Sequence, residues 1–109
     1  MAILTLLGDD GAVTAQWELR EQPLSVGRDE SADVTVADAT LSRRHFQIVR
    51  QGEAYVLQDL DSQNGTWVDG HRAERAAVRL QHHDCILAGR SLFMFSETAS
   101  QRVSAVEAR

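Results

Sequence analysis

The sequence has a single cysteine, Cys85, and no long hydrophobic run. One cysteine cannot form an intrachain disulfide, and without a secretory signal this is typical of a reducing compartment. The apolar start, MAILTLLG, has no basic segment before it and is shorter than the hydrophobic region of a signal peptide. No run approaches the roughly 18 apolar residues that a membrane helix requires. We therefore expect a cytoplasmic protein with no membrane partner.

Positive charge is also scarce, because the chain has 11 basic and 16 acidic residues and its formal net charge is −5. Nonspecific nucleic-acid binding needs clustered cations that neutralise many phosphates, so we expect no nucleic-acid partner. Hydrophobic residues make up 43% and charged residues 25% of the chain, which is ordinary for a folded protein. A length of 109 residues corresponds to one domain.

Long segments with helical spacing are absent, and short runs of strand length take their place. These runs are AILTLL, VTAQWEL, HFQIV, AYVLQDL, TWV, CILA and LFMFS. Turn residues separate them, and Asp69-Gly70 is the strongest turn signal because both central residues of a type I′ turn need positive φ. The pattern predicts an all-β fold, an antiparallel sandwich or barrel whose loops at one end are free to carry function.

Three polar segments interrupt the strands, at residues 27–31, 37–44 and 61–66. A phosphate monoester carries about −1.5 to −2 at neutral pH and offers three strong acceptor oxygens. In an acidic protein it must be held by a few well-placed donors rather than by bulk positive charge. Arginine offers a planar pair of donors and serine a short directional one. Residues of these types in the polar segments include Arg28, Ser42 and Arg43.

The motifs GR at 27–28, SRRH at 42–45 and SQNGTWVDG at 62–70, followed by HDCILAG at 83–89, closely resemble the forkhead-associated (FHA) domain. That family has G-R, S-x-x-H and N-G-T-x-V-x-G in this order and at about this spacing. Three ordered motifs are a far more specific signal than any one alone. The resemblance covers roughly residues 3 to 96. It implies a β-sandwich of about eleven strands whose loops bind phosphothreonine in extended peptides.

The resemblance also implies roles for individual residues. Arg28 and Ser42 would contact the phosphate, and Arg43 would contact the phosphate or nearby peptide backbone. Asn64 would hydrogen-bond the peptide main chain, with Gln63 beside it. Thr40 would help to set peptide preference, whereas Arg44 would point to solvent. The remaining matched positions would shape the loops: Gly27, His45, Gly65 and Thr66.

The sequence departs from the family pattern at two positions. Gln63 stands where many members have Ser or Thr, so we expect a change in affinity or residue preference. His83 takes the place of a glycine before the penultimate strand, and histidine is one of the few other residues enriched at positive φ. Trp67, in a short strand beside Val68, is predicted to pack rather than to stack against a ligand.

Other site chemistries find less support in the sequence. The cluster His82, His83, Asp84 and Cys85 lacks the usual ligand spacing of a zinc site, and there is no second cysteine. Ser42 and His45 have no identifiable acidic partner that would complete a nucleophilic triad. We therefore expect no metal, no cofactor, no catalytic residue and no enzyme activity.

We expect residues 1–96 to form the FHA domain and residues 97–109 a C-terminal tail or linker stub. The chain would then be part of a longer protein, or a monomer. The predicted function is phosphothreonine-dependent binding of a peptide or protein in signalling. The residues leave one alternative open, a phosphate-independent scaffold or self-association domain.

Overall fold

The computed structural model of the chain describes residues 1–73 and 77–97, and these residues form two β-sheets packed over one core. They contain no helix, and therefore none that could cross a membrane. In chain order the strands are β1 (Ala2–Leu7), β2 (Val13–Leu19), β3 (Leu24–Gly27), β4 (Val34–Thr35), β5 (Phe46–Gln51), β6 (Ala54–Asp59), β7 (Thr66–Val68), β8 (His71–Arg72), β9 (Val78–Arg79), β10 (Cys85–Ala88) and β11 (Ser91–Glu97).

The larger sheet has the strand order β2-β1-β11-β10-β7-β8, and the smaller sheet has the order β4-β3-β5-β6-β9. The paired neighbours are antiparallel except β3 and β4, which run parallel through the pair Val26 and Val34. The prediction of an eleven-stranded, all-β antiparallel sandwich is confirmed for the described residues, with this one parallel pair as an addition. Glu97 is the last residue of β11, and residues 98–109 of the predicted tail lie outside the described residues.

Alternating burial along the strands places one apolar face of each sheet against the other. Phe46 on β5 meets Phe93 on β11 edge to face, with ring centroids 5.6 Å apart, and so joins the two sheets. Tyr55 on β6 and Phe95 on β11 make a second contact, with centroids 5.7 Å apart. Aromatic pairs of this kind contribute beyond their buried area. The sandwich is therefore a firm support for the loops at its ends.

Backbone conformation at the turns follows the turn chemistry of the sequence. Asp69 and Gly70, between β7 and β8, have φ values of 49° and 83°, as the predicted type I′ turn requires. Gly52 and Gly89 begin the turns of two other hairpins with φ values of 64° and 58°. His83 adopts a φ of 73°, so a histidine takes the left-handed conformation at this position.

Several loops meet at one end of the sandwich, where β3 ends and β5 and β7 begin. The Arg28 N–H donates to the Ser42 carbonyl at 3.0 Å, which joins the loop after β3 to the loop before β5. The Arg90 N–H, in the turn between β10 and β11, donates to the Thr40 hydroxyl at 2.9 Å. We call this end of the sandwich, formed by residues 28–33, 37–45, 60–65 and 89–90, the loop end.

Candidate functional site

Gly27 allows two chain segments at the loop end to pack backbone against backbone. A Cβ atom at this position would collide with the Arg43 carbonyl oxygen and lie 2.9 Å from the Arg44 Cα atom. The close approach lets the Asp29 N–H donate to the Arg43 carbonyl at 3.1 Å. Arg28 and Ser42 are therefore held next to each other by main-chain contacts, although 14 positions separate them in the sequence.

His45 is fully buried and connects the same segments from below. Its Nδ1 atom accepts the Ser42 N–H at 3.0 Å, and its Nε2 atom lies 2.7 Å from the Gly65 carbonyl oxygen. A backbone N–H can only donate and a carbonyl can only accept, so Nδ1 is the acceptor and Nε2 carries the proton. His45 is thus the neutral Nε2–H tautomer, and it joins the loop before β5 to the loop before β7.

Two donors at the loop end keep capacity for a ligand. The Ser42 hydroxyl oxygen accepts the Gln63 N–H at 3.0 Å, which leaves the hydroxyl proton free to donate elsewhere. The Arg28 Nε atom donates to the Leu41 carbonyl at 2.9 Å and so anchors the guanidinium group. Within the part of the chain that the structure describes, neither terminal nitrogen of Arg28 has a hydrogen bond or an ion pair.

Asn64 fixes the loop that contains Thr40 and still has a hydrogen-bond acceptor available for a ligand. Its Nδ2 atom donates to the Thr40 carbonyl at 2.8 Å, which leaves the Oδ1 atom available to a peptide N–H. Gly65 follows with a φ of 86°, a conformation that only glycine adopts without cost. Gln63 contributes its main-chain N–H to the site, and its side chain is exposed.

Asp59, which was not among the predicted site residues, organises the loop before β7 from inside. Its carboxylate accepts hydrogen bonds from the hydroxyls of Ser62 and Thr66, each at 2.6 Å, and from the Ser62 N–H at 3.0 Å. Burial alone would raise the pKa of Asp59, but these hydrogen bonds outweigh it and lower the pKa. The spacing Asp59-x-x-Ser62 is a side-chain-to-backbone turn signal that could have indicated this role.

Asp38 was also not identified, and it fixes the loop that contains Thr40. Its carboxylate accepts the Thr40 hydroxyl at 2.5 Å and N–H at 2.8 Å, the Ser91 hydroxyl at 2.7 Å and the Arg90 N–H at 3.1 Å. Burial favours a raised pKa, but the four hydrogen bonds lower the pKa of Asp38 to about 2. The Asp-x-Thr spacing was the available signal. The Thr40 side chain is thereby engaged within the loop end.

Three of the arginines at the loop end lie close together in the chain or through main-chain contacts, although the loop end as a whole is not positively charged. Arg28, Arg43 and Arg44 are all exposed. Hydrogen bonds from Ser31 chiefly lower the pKa of Asp29, and the charges of Arg43 and Arg28 lower it further. The structure therefore brings the predicted phosphate-binding residues into one group, with the four predicted loop-shaping residues directly beside or beneath them.

The histidines between β9 and β10 make structural contacts. The rings of His82 and His83 lie 3.7 Å apart, and the His82 Nδ1 atom accepts the Glu97 N–H at 2.9 Å. Among residues 1–73 and 77–97, no group of three or more His, Cys, Asp or Glu side chains is arranged to hold a metal ion.

Comparison with known proteins relates this geometry to one family. The sequence model of the FHA domain matches residues 24–89, which include every predicted site residue. FhaA of Mycobacterium tuberculosis, an FHA domain-containing protein, is 34% identical over 90 residues, or 77% of this chain and 17% of FhaA. FhaB of the same species is 35% identical over 65 residues, or 59% of this chain and 42% of FhaB. The chain thus spans less than half the length of these curated relatives.

Solved FHA domains have the same fold. One comes from a structural and functional analysis of phosphothreonine-dependent FHA domain interactions. It superposes with a TM-score of 0.78 at 30% identity and covers 88% of this chain and 95% of that one. The FHA domain of FhaA, solved in complex with the intracellular domain of Rv3910, superposes with a TM-score of 0.77 at 33% identity. It covers 87% of this chain and 99% of that one.

Proposed function

The chain belongs to the FHA domain family, and we propose that it binds phosphothreonine through Arg28 and Ser42, with Arg43 as a further contact. FHA domains bind phosphothreonine peptides, and FHA proteins are signalling and binding modules rather than enzymes. The observation that carries the residue assignment is the pairing of an oriented serine hydroxyl with an anchored guanidinium on adjacent loops.

The chemistry of this pair suits a phosphate group. The Ser42 hydroxyl can donate one hydrogen bond, and the two terminal nitrogens of Arg28 can donate to two phosphate oxygens together. Charge-assisted hydrogen bonds contribute about 1.5 to 3 kcal/mol each, and the peptide loses conformational freedom on binding. We expect a Kd on the order of 1 μM, which suits a reversible signalling contact.

The peptide main chain would be read by the loop before β7. The free Oδ1 atom of Asn64 can accept a peptide N–H, and the exposed Gln63 side chain can reach a neighbouring peptide residue. Thr40 would act on peptide preference through the loop conformation that Asp38 maintains. Burial of the threonine methyl group favours threonine over serine by only about 0.8 kcal/mol, so stronger selection must come from the orientation of the phosphate.

The proposal also covers the cellular location of the domain and the protein that contains it. We propose a cytoplasmic module of a longer protein, with residues 1–96 as the binding domain and 97–109 as a tail or linker. The small share of FhaA and FhaB that the chain spans supports this view. The partner would be a protein phosphorylated on threonine by a kinase of the same cell.

Arg28→Ala tests the proposal against a matched control, Arg44→Ala. A phosphothreonine peptide library and its unphosphorylated counterparts would be titrated by calorimetry or fluorescence polarisation. We expect Arg28→Ala to abolish phosphate-dependent binding with only a small fall in melting temperature from the lost bond to the Leu41 carbonyl, and Arg44→Ala to leave the Kd within about twofold. If no phosphopeptide binds better than its unphosphorylated counterpart, or if partner capture resists phosphatase treatment, the domain is a phosphate-independent scaffold.

A further inference from the structure

One row of side chains crosses the larger sheet from edge to edge, on the face turned away from the core. The strand register pairs its members one after another across all six strands, with a register shift between β1 and β2 just before the last pair. From β2 to β8 the row consists of Val13, Leu7, Leu92, Leu87, Trp67 and Arg72. Five of the six are apolar. At a strand spacing of about 4.8 Å, five spacings give a length of about 24 Å. We call these six residues the apolar row.

The apolar row faces outward, where an antiparallel sheet is usually polar. Val13 is 59% exposed, Leu87 42% and Leu92 36%. Phe93, the neighbour of Leu92 in the chain, is fully buried on the opposite face. A groove of about 310 Å³ lies beside the middle of the row, lined by Trp67, Leu87 and Leu92 of the row together with Gly70 and Cys85. Exposed apolar side chains that lie side by side, rather than scattered singly, are a feature of interaction sites.

The apolar row adjoins the loop end. The Trp67 ring lies 3.0 Å from the position of a Cβ atom on Gly65, and the Gly65 carbonyl accepts the proton of His45. Leu87 and Leu92 flank the turn whose Arg90 N–H is bonded to Thr40. Farther from the loops the same face becomes more polar, with Glu18, Ile3 and Ser96 in register. The outward face of the larger sheet is therefore most apolar in the apolar row, where the face adjoins the proposed peptide site.

We propose that the apolar row docks a second segment of the phosphorylated partner, an extended hydrophobic stretch that ends in an acidic residue. The acidic end would meet Arg72, whose guanidinium group lies over Trp67, 5.4 Å from the ring centroid. The inference rests on the proposed phosphothreonine binding. That first contact raises the effective concentration of the second segment to the millimolar range, so a small apolar surface suffices.

A second copy of the chain fits this surface less well. A stable homodimer buries roughly 800 Å² on each partner and has a well-packed apolar centre. The apolar row is one side chain deep, and Leu7 and Trp67 within it are already half-buried. The area is thus small for an independent interface and adequate for an auxiliary one.

Paired peptides separate the two contacts. One is a short phosphothreonine peptide. The other is the same peptide extended, at either end, through a Gly-Ser spacer by an apolar strand that finishes in glutamate. One of the two extended peptides should place its added strand on the apolar row. We expect that peptide to bind the wild-type protein about tenfold more tightly than the short peptide does, equivalent to about 1.4 kcal/mol. Leu87→Thr with Leu92→Thr should remove this gain and leave the short peptide's Kd unchanged. Ile3→Thr, on the same face outside the row, is the control.

Cys85 provides a readout in the unmodified protein. It is the single cysteine of the chain, is exposed, and lines the groove beside the row. Its reaction with a thiol reagent should slow when the extended peptide is bound, and should keep its rate with the short peptide. A modification rate that is the same with the extended peptide bound as with the short peptide bound would contradict docking on this face.

The possible outcomes distinguish this inference from the proposed function. If the short peptide binds and neither extension adds affinity, the docking surface is wrong and phosphothreonine binding stands. If neither peptide binds, the proposed function and the docking proposal are both wrong. If sedimentation shows a dimer that Leu87→Thr with Leu92→Thr dissolves, the row is a self-association surface, and the proposal is overturned.

Discussion

The two ends of the sandwich are built in different ways. At the loop end, hydrogen bonds join residues far apart in the chain, such as His45 with Gly65, 20 positions apart, and Ser91 with Asp38, 53 apart. At the opposite end, the turns at 69–70 and 81–84 bond within themselves or to strand residues 11 to 16 positions away, and the turn at 52–53 has a local side-chain bond from Arg50. There the Gln81 N–H bonds to the Asp84 carboxylate three positions away.

The difference determines how the stability of each end responds to a substitution. A substitution at the opposite end disturbs one turn and the strand residues bonded to it, without a binding group that depends on them. At the loop end, Ser42 is bonded through His45 to Gly65 and directly to Gln63, so loss of one link releases a donor in another segment. The same chemical change should therefore cost more at the loop end than at the turn end, and three matched pairs of substitutions test this.

The largest contrast is expected between the histidines. His45→Ala removes a buried ring and leaves the Gly65 carbonyl and the Ser42 N–H without partners, at a cost of about 3 kcal/mol in the free energy of unfolding. His82→Ala removes an exposed acceptor at the other end and should cost about 0.5 kcal/mol. Urea unfolding measures both. Phosphopeptide affinity should fall only with His45→Ala, and equal losses in the two variants would contradict the comparison.

The glycine pair should give an intermediate contrast. In Gly27→Ala the new methyl group would overlap the Arg43 carbonyl, so the two segments must separate, at a cost of about 2 kcal/mol and most of the phosphopeptide affinity. In Gly52→Ala nothing lies within 4 Å of the new atom, and only the left-handed φ of 64° costs about 1 kcal/mol. Thermal melts and peptide titrations would check this. Normal binding by Gly27→Ala would show that the loops need no close approach.

The smallest contrast concerns acid sensitivity. The folded pKa of Asp38 is lowered to about 2, so its contribution to stability is complete above the ordinary value of 3.8 and is lost as pH falls towards 2. Asp84 has a raised pKa, mainly through burial and the nearby charge of Asp69, so ionisation at this site opposes folding. Asp38→Asn should destabilise the protein at pH 7 and flatten the fall in melting temperature between pH 4 and 2. Asp84→Asn should change stability less at pH 7.

A steeper acid transition in Asp38→Asn than in wild type would contradict the carboxylate's assigned role. Asparagine is the informative replacement because its oxygen can still accept from Thr40, while its amide nitrogen cannot accept from Arg90 or Ser91.

Strands and turns were predictable because their signals are local. Runs such as AILTLL and CILA became β1 and β10, and Asp69-Gly70 formed its turn at the expected position. The short strands β4, β8 and β9 have two residues each, and their pairing depends on the neighbouring strand rather than on their own residues. Asp38 and Asp59 escaped notice because an acidic residue in a loop is ordinary, and their importance lies in which distant hydroxyls they meet.

By itself the sequence determined the strand pattern, the turns that need positive φ, and the motifs that place Arg28, Ser42 and Asn64 in loops. Only the tertiary structure decided that His45 is the neutral Nε2–H tautomer and that Ser42 keeps a free proton. The apolar row likewise exists only in the register of six strands. The physical reason is the distance along the chain over which each kind of interaction acts. Propensity and turn chemistry act between near neighbours in the chain, whereas hydrogen-bond satisfaction and surface patches depend on which segments the folded sandwich brings together.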